Sequence, residues 1–491
     1  DNSGVSGSSV TSIVQISYDD YSDIIADVLG NANDVYVSHD NSSVTGSASD
    51  KNTLVLKVDS VSGATGNIVN IAQLGAATLT TKVTGTGNYI KVSQTVTENN
   101  RTASTINVGT ENATSAVSNS NLLDITLNDS AMTLDIQGAS NNLYATLDQS
   151  TSSAASQRSA FNIDIDGNTN NVDLLESTHA TSTASTTRDL LINGDGNWFY
   201  YNSVGNEATI NADIIGDTNE VISNLSSPSG NPANVTYGIT GNTNRITDNL
   251  VNDTVTNYNV VGNENGISTT VSGSSSTSNN ILYDIDANYQ NIVTNVNGSS
   301  NDVDFDIDST DVSSGSDTDL DITGSSNTVN TTLNGNTIAT DLDFTGSSNS
   351  FYASITGASS VLDVNINGSS NTVGSSASSL GITGSNVSNI ELNITGNSNN
   401  VTASSAWSGS PSTVAPLDID IYGNSNTLVV AQATEYALDI DVGSSSSNAS
   451  DFNFSVQYDS SANAYIASVN SAGSGVVDIN HPSGTIKITG S

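Results

Sequence analysis

The sequence contains no cysteine, five prolines, one methionine and only nine lysines and arginines among 491 residues. Without cysteine there is no disulfide framework and no thiol chemistry. Nine cations against fifty acidic residues leave a net charge of -41. A surface of that sign makes nucleic acid and anionic membrane poor partners, because phosphate binding needs lysine and arginine. The charge suits solubility in salty water, or divalent cations. No apolar run approaches the length of a membrane span. The three histidines, His39, His179 and His481, show no zinc-ligand spacing. Hydrophobic residues are 35% and aromatics 5%. That is little for a large globule, but enough for a thin body in which each coil buries a narrow strip. Polysaccharide lyases acting on acidic sugars need basic residues, which are scarce here, and no two aspartates stand out as a hydrolase pair. The chain opens on Asp1-Asn-Ser rather than methionine, which implies processing and a removed targeting segment. The expected location is therefore secreted, extracellular or at the cell surface.

What the sequence does hold is one phrase, repeated. Its clearest copy is Leu417-Asp-Ile-Asp-Ile-Tyr-Gly-Asn-Ser-Asn-Thr-Leu-Val-Val-Ala-Gln432. Leu417, Ile419 and Ile421 fall at every second place, with Asp418 and Asp420 between them. A period of two is a strand with one dry and one wet face. Gly423 to Asn426 form a turn, and the period resumes at Leu428. Gly-x-x-Asn recurs at Gly30, Gly85, Gly109, Gly138, Gly167, Gly194, Gly216, Gly241, Gly262, Gly298, Gly324, Gly346, Gly368, Gly396 and Gly423. Degraded copies fall near 63–67 and 287–290. Such self-similarity predicts an all-β solenoid of stacked strand-turn-strand layers. The expected organisation is an N-terminal strand segment over 1–21, solenoid repeats over 22–450, and C-terminal strands over 451–491.

Residues two, four and six places after each asparagine are mostly apolar or small, as at Leu143, Ala145 and Leu147. They predict the core face, and the asparagine shares their parity. Stacked layers about 4.8 Å apart would bring successive side-chain amides into a hydrogen-bonded ladder. Asparagine also tolerates a left-handed turn, and both effects are expected to contribute. The glycine answers to positive φ or to close backbone approach. The ladder set is Gly138, Asn141, Gly167, Asn170, Gly324, Asn327, Gly346, Asn349, Gly368, Asn371, Gly396, Asn399, Gly423 and Asn426. Odd offsets face water. Tyr36, Tyr144, Tyr200 and Tyr352 stand three places after their asparagines and, with Trp198 and Tyr201, predict exposed aromatics. These serve lateral contacts or surface glycans, or simply reflect β-propensity.

The phrase resembles the curlin repeat of bacterial curli fibres: an alternating strand, Gly-x-Gly-Asn or similar, then x-Ala-x-x-x-Gln. Gly423 to Gln432 fits with Leu428 at the alanine place. Gly85, Gly87, Asn88 and Gln94 fit with Ile90 there. Most other copies lack the terminal glutamine. The resemblance implies a secreted, self-assembling cross-β solenoid.

Among ion signals, paired aspartates are the strongest. Asp164 and Asp166, Asp304 and Asp306, and Asp418 and Asp420 each project from one strand face, and a calcium ion fits between carboxylates of adjacent coils. The ordinary reading is a solvated face, and no calcium nonapeptide is present. Calcium is the one candidate cofactor. Thr485-Ile-Lys-Ile-Thr-Gly-Ser491 is half a copy and predicts a strand awaiting a partner. With the first strand it forms a candidate polymer joint: Val10, Ile13, Val14 and Ile16 at one end, Ile486 and Ile488 at the other. The expected role is a homopolymeric, non-enzymatic fibre subunit. The alternatives are a glycan-binding adhesin, surface-layer component or phage-type fibre, or a β-helical polysaccharide-active enzyme.

Overall fold

In the computed structural model, forty strands are described between Ile13 and Thr489. With them are described the connecting residues 32–33, 66–67, 86–88, 120–121, 138–141, 167–170, 194–197, 216–219, 241–244, 262–265, 290, 298–301, 324–327, 346–349, 368–371, 374 and 396–399; side chains are described only as far as Asp420. No helix occurs among the described residues. The chain forms two compact units, Asp1–Leu250 and Val251–Ser491. Each is a β-solenoid built from two sheets, to which successive strands contribute alternately as far as Thr372–Val373.

In the first unit every described strand pairing is parallel. Asn142–Gln149 lies between Leu122–Asn128 and Asn171–Thr178, with Leu143 beside Leu123 on one side and Val172 on the other. Ser130–Gln137 lies likewise between Thr102–Val108 and Phe161–Asp166 in the second sheet. Residues 138–141 turn the chain from one sheet into the other, so strand, corner and strand make one layer. Ile13–Asp19 already belongs to this stack, pairing in register with Asp34–Asn41. The alternation is obeyed side chain by side chain. Asn141, Leu143, Ala145 and Leu147 are buried, and Tyr144 between them is exposed. Each layer thus buries a few apolar side chains at roughly 2 kcal/mol apiece.

The corner explains why the phrase is conserved from copy to copy within this chain. Gly138 has φ 114° and Gly167 φ 140°. Their amides donate along the stack, Gly138 N to Asp166 O at 2.8 Å and Gly167 N to Asn193 O at 2.8 Å. A Cβ on Gly167 would stand 2.1 Å from Gly138 O, and one on Gly346 1.7 Å from Gly324 O. No side chain fits. The left-handed residue is the one before the asparagine, not the asparagine itself. Ser140, Thr169, Thr218 and Ser348 have φ between 58° and 62°. All twelve described non-glycine residues with positive φ directly precede a buried asparagine. The expectation that asparagine is there partly for its own left-handed tolerance is therefore overturned: its reason is the ladder.

In the second unit the corner changes sides. Residues 262–265 and Gln290 lead into Gly266–Ser272 and Asn291–Asn297, which are neighbours in one sheet. From Gly298 onward each corner instead leads out of that sheet into the other, starting with Asp302–Asp308. Asn291–Asn297 is the strand flanked by corners at both ends. Near the carboxyl end the pairing reverses. Phe452–Asp459 runs antiparallel to Leu438–Gly443, and Ala464–Ser471 antiparallel to Phe452–Asp459. No Gly-x-x-Asn remains there to carry the chain into a further layer, so it folds back on its neighbour.

Gly167→Ala is expected to destabilise by about 3 kcal/mol or more, since both φ and a backbone carbonyl oppose the methyl. At Gly266 a Cβ meets nothing within 4 Å, so Gly266→Ala should change stability by less than about 1 kcal/mol. Urea unfolding of the two variants checks the contrast, and equal losses would contradict the close-approach account.

Candidate functional site

The corner asparagines form the ladder that the repeat predicts. Asn141 N and Nδ2 both donate to Asn170 Oδ1 at 3.0 Å. Asn170 gives the same pair of bonds to Asn197 Oδ1, at 2.9 and 3.1 Å, and its Nδ2 also reaches Gly138 O at 2.9 Å. In the second unit Asn301, Asn327 and Asn371 give the same pair of bonds to Asn327, Asn349 and Asn399, and Asn349 gives the backbone bond alone, to Asn371 Oδ1 at 2.9 Å. Buried amides so engaged satisfy themselves and the corner backbone together. Both degraded copies hold their places. Asn67 accepts from Asn33 N at 2.9 Å, and Gln290 Nε2 donates to Gly262 O at 3.0 Å. Gly109 and Asn112 lie outside the described residues. The column passes from Asn88 to Asn121 to Asn141, so Asn121, which has serine rather than glycine three places before it, takes the place read for Asn112. Gly423 and Asn426 lie outside the described residues.

Along the outer faces, like residues fall into columns. Asp164 stands beside Asp135 and Asp166 beside Asn193. Asp304 stands beside Asn330, and Asp306 beside Asp284. Asn193 Nδ2 donates to Asp166 Oδ1 at 2.9 Å, and Asn330 Nδ2 to Asp304 Oδ1 at 2.6 Å. The amide of the next layer thus does part of what a cation would do. Asp418 and Asp420 continue a column between Glu391 and Asn393 on one side and Asp439 and Asp441 on the other; the Asp418 side chain is not among those described. Among the described residues no three carboxylate or imidazole side chains converge as a metal-holding group. Partial burial, then the neighbouring Asp166 and Asp135, raise the Asp164 carboxyl above its ordinary 3.8. Asp319 is raised by burial and then by Asp321, Asp341 and Asp343, and Asp341 and Asp363 by the same kinds of cause.

Comparison with protein-family models, with curated proteins and with solved structures gives no match.

Of the expected outward aromatics, Tyr36 is 43% exposed and Tyr144 47%, while Trp198, Tyr200 and Tyr352 are half-buried. Trp198 and Tyr200 lie nearly parallel, 5.8 Å between ring centres, and Asn224 Nδ2 donates to the Tyr200 hydroxyl at 3.0 Å. Tyr201 is a correction. It stands four places after Asn197, at a core offset, and is buried. Its hydroxyl donates to Glu176 Oε2, to which Arg188 Nε also donates at 2.7 Å. Arg188 Nη2 bonds the other carboxylate oxygen, and all three side chains are buried. Burial and then the Glu176 charge raise the Tyr201 hydroxyl well above its usual value. Burial alone would lower Arg188, but Glu176 reverses the direction. A second buried cluster joins Tyr237, Ser223 and Asp248, with Tyr237 donating to Asp248 Oδ1 at 2.7 Å. Parity would have found both clusters: Glu176 lies six places after Asn170, and Asp248 four after Asn244.

At the proposed joint, Ile13 is 71% exposed and Ile16 half-buried. Val10 lies outside the described residues. Val14, Ile486 and Ile488 lie in described strands whose side chains there are not. The terminal strand is not a half-copy lacking a partner. Gly484–Thr489 pairs antiparallel with Val476–His481, Ile486 beside Ile479 and Ile488 beside Val477. Val476–His481 in turn runs parallel to Thr427–Gln432. Gln94 and Gln73 are neighbours on adjacent strands and both are buried.

Replacing Glu176 by leucine leaves Arg188 buried without its carboxylate and should cost about 4 kcal/mol, while the double replacement Glu176→Leu with Arg188→Leu should recover most of that loss. Urea midpoints of the single and double variants measure it. The raised aspartates give a pH dependence whose sign is fixed. The folded state binds their protons more readily than the unfolded chain, so stability should rise as pH falls from 7 toward 4, through the raised values to the ordinary 3.8. Added salt at pH 7 should act in the same direction. Thermal unfolding across that range would show a falling midpoint if the columns were not repulsive.

Proposed function

We propose that this chain is a structural subunit that joins copies of itself through its sheet edges into an extracellular filament or matrix fibre. The observation that supports it most is the edge itself. Among the described residues, Ile13–Asp19 pairs only with Asp34–Asn41, and Asp23–Leu29 only with Asn52–Asp59. Each presents a row of backbone donors and acceptors, and Ile25 beside them is 79% exposed. Unpaired parallel edges are templates for another strand. An added copy would continue a stack whose layers already match in register. In the second unit, Ala464–Ser471 and Gly484–Thr489 likewise pair on one side only among the described residues and supply further edges. The likeness of the repeat to curlin supports the same reading, as does the buried pair Gln73 and Gln94. High negative charge keeps the sides of such fibres apart, and growth is confined to the ends.

Negative-stain microscopy of the purified chain tests the proposal. Filaments should form, and they should shorten or vanish when Ile13→Lys and Ile25→Lys are combined, with circular dichroism unchanged. Deleting residues 484–491 should have the same effect from the other end. Filaments of undiminished length in both variants would remove the edge joint, and a chain that stays monomeric at high concentration would remove the fibre.

A further inference from the structure

In the first unit, the outer face of one sheet carries a trough of about 310 Å3. Its wall is the outward column Tyr36, Asn70 and Lys91, which are register neighbours on three successive strands. Its floor is the next outward column, Ser38, Ala72 and Ser93, two places further along the same strands. A tall column beside a short one makes the step, which runs across the strands for about 10 Å. Among the described residues the lining contains no carboxylate, although the molecule carries fifty acidic residues. In the second unit the corresponding outward column holds Asp319, Asp341 and Asp363. Lys91 Nζ lies 3.4 Å from Asp124, which balances its charge locally.

We infer that this trough binds a neutral oligosaccharide, laid across the strands. The half-exposed Tyr36 ring offers a flat apolar face to the C–H side of a pyranose ring. Asn70 supplies both a donor and an acceptor, Lys91 donors, and Ser38 and Ser93 hydroxyls that do either. Most of the exposed lining, which Gln15 and Ile16 complete, is apolar, so the C–H faces of a sugar lie on it while these few polar side chains meet its hydroxyl groups. An apolar ligand would leave those groups unmet, in an open trough that does not enclose it. A polyanion meets the net charge of the whole molecule. The inference does not depend on filament formation.

The test is saturation-transfer NMR and calorimetry on the dispersed full chain, with chitotriose, cellotriose and maltotriose as probes. At least one should bind. Tyr36→Ala should weaken it at least about tenfold, the loss expected when an anchoring aromatic is removed. Ala72→Trp, an outward substitution that fills the floor and leaves the core untouched, should abolish it. Thermal unfolding of both variants should match the parent. Three results would overturn the inference: no binding of any trisaccharide, binding that survives Ala72→Trp, or a trough whose Tyr36 resonances shift with protein concentration alone. The last would assign the face to a second copy of the chain.

Discussion

Everything in this molecule depends on how closely one corner backbone can lie on the next. The carbonyl of each corner glycine occupies the space where the following layer would put a side chain. That contact fixes the layer spacing at the corner, and the asparagine beside it converts the spacing into hydrogen bonds. The strands follow. Because successive corners superimpose, successive strands meet in register, and the dry face of each falls on the dry face of the last. A one-residue slip anywhere would expose a whole strip of core. The price of most corners is a left-handed non-glycine residue before the asparagine, usually serine or threonine, at roughly 1 kcal/mol each. Thr169, Thr218 and Thr243 offset part of it by donating to the preceding carbonyl at 2.7 Å.

Stacking like on like has an electrostatic consequence. A residue type that suits a position once is repeated at about 4.8 Å intervals, and for aspartate that is unfavourable. The chain handles the problem in two ways. In some columns aspartate alternates with asparagine or serine, so that a carboxylate receives a donor from the layer above, as Asp189 does from Asn211 and Asp148 from Ser177. Elsewhere, at Asp319, Asp341 and Asp363, carboxylates remain side by side, and partial burial together with the neighbouring charges raises their proton affinity. The interior shows the opposite balance, with single charges such as Glu176 held by several donors at once.

The corner, the two-residue period and the core positions were all legible in the sequence, because each is a local rule that every copy obeys. Tyr144 outward and Leu143 inward follow from counting alone. What could not be counted came from interactions between copies. Asn121 joins the ladder without a glycine because position in the stack, not the motif, decides membership. Tyr201 looked like a surface aromatic among Trp198 and Tyr200, but its offset is even and Glu176 and Arg188 wait for its hydroxyl. The antiparallel strands beyond Leu438 follow no repeat, so no rule read from the repeat could place them. Among the comparisons none supplied an outside check, so the functional reading rests on the exposed edges and faces.

The corner's change of sides at Asn291–Asn297 has a consequence for alignment. A stack of near-identical layers could shift by one whole coil and still bury its apolar strips. With corners on one edge before this strand and on the other after it, a shifted stack would set glycine corners against connections that lack the Gly-x-x-Asn phrase. The strand acts as a dislocation that indexes the coils, so that of the many near-equivalent stackings a repetitive chain allows, only one brings every corner onto its own kind.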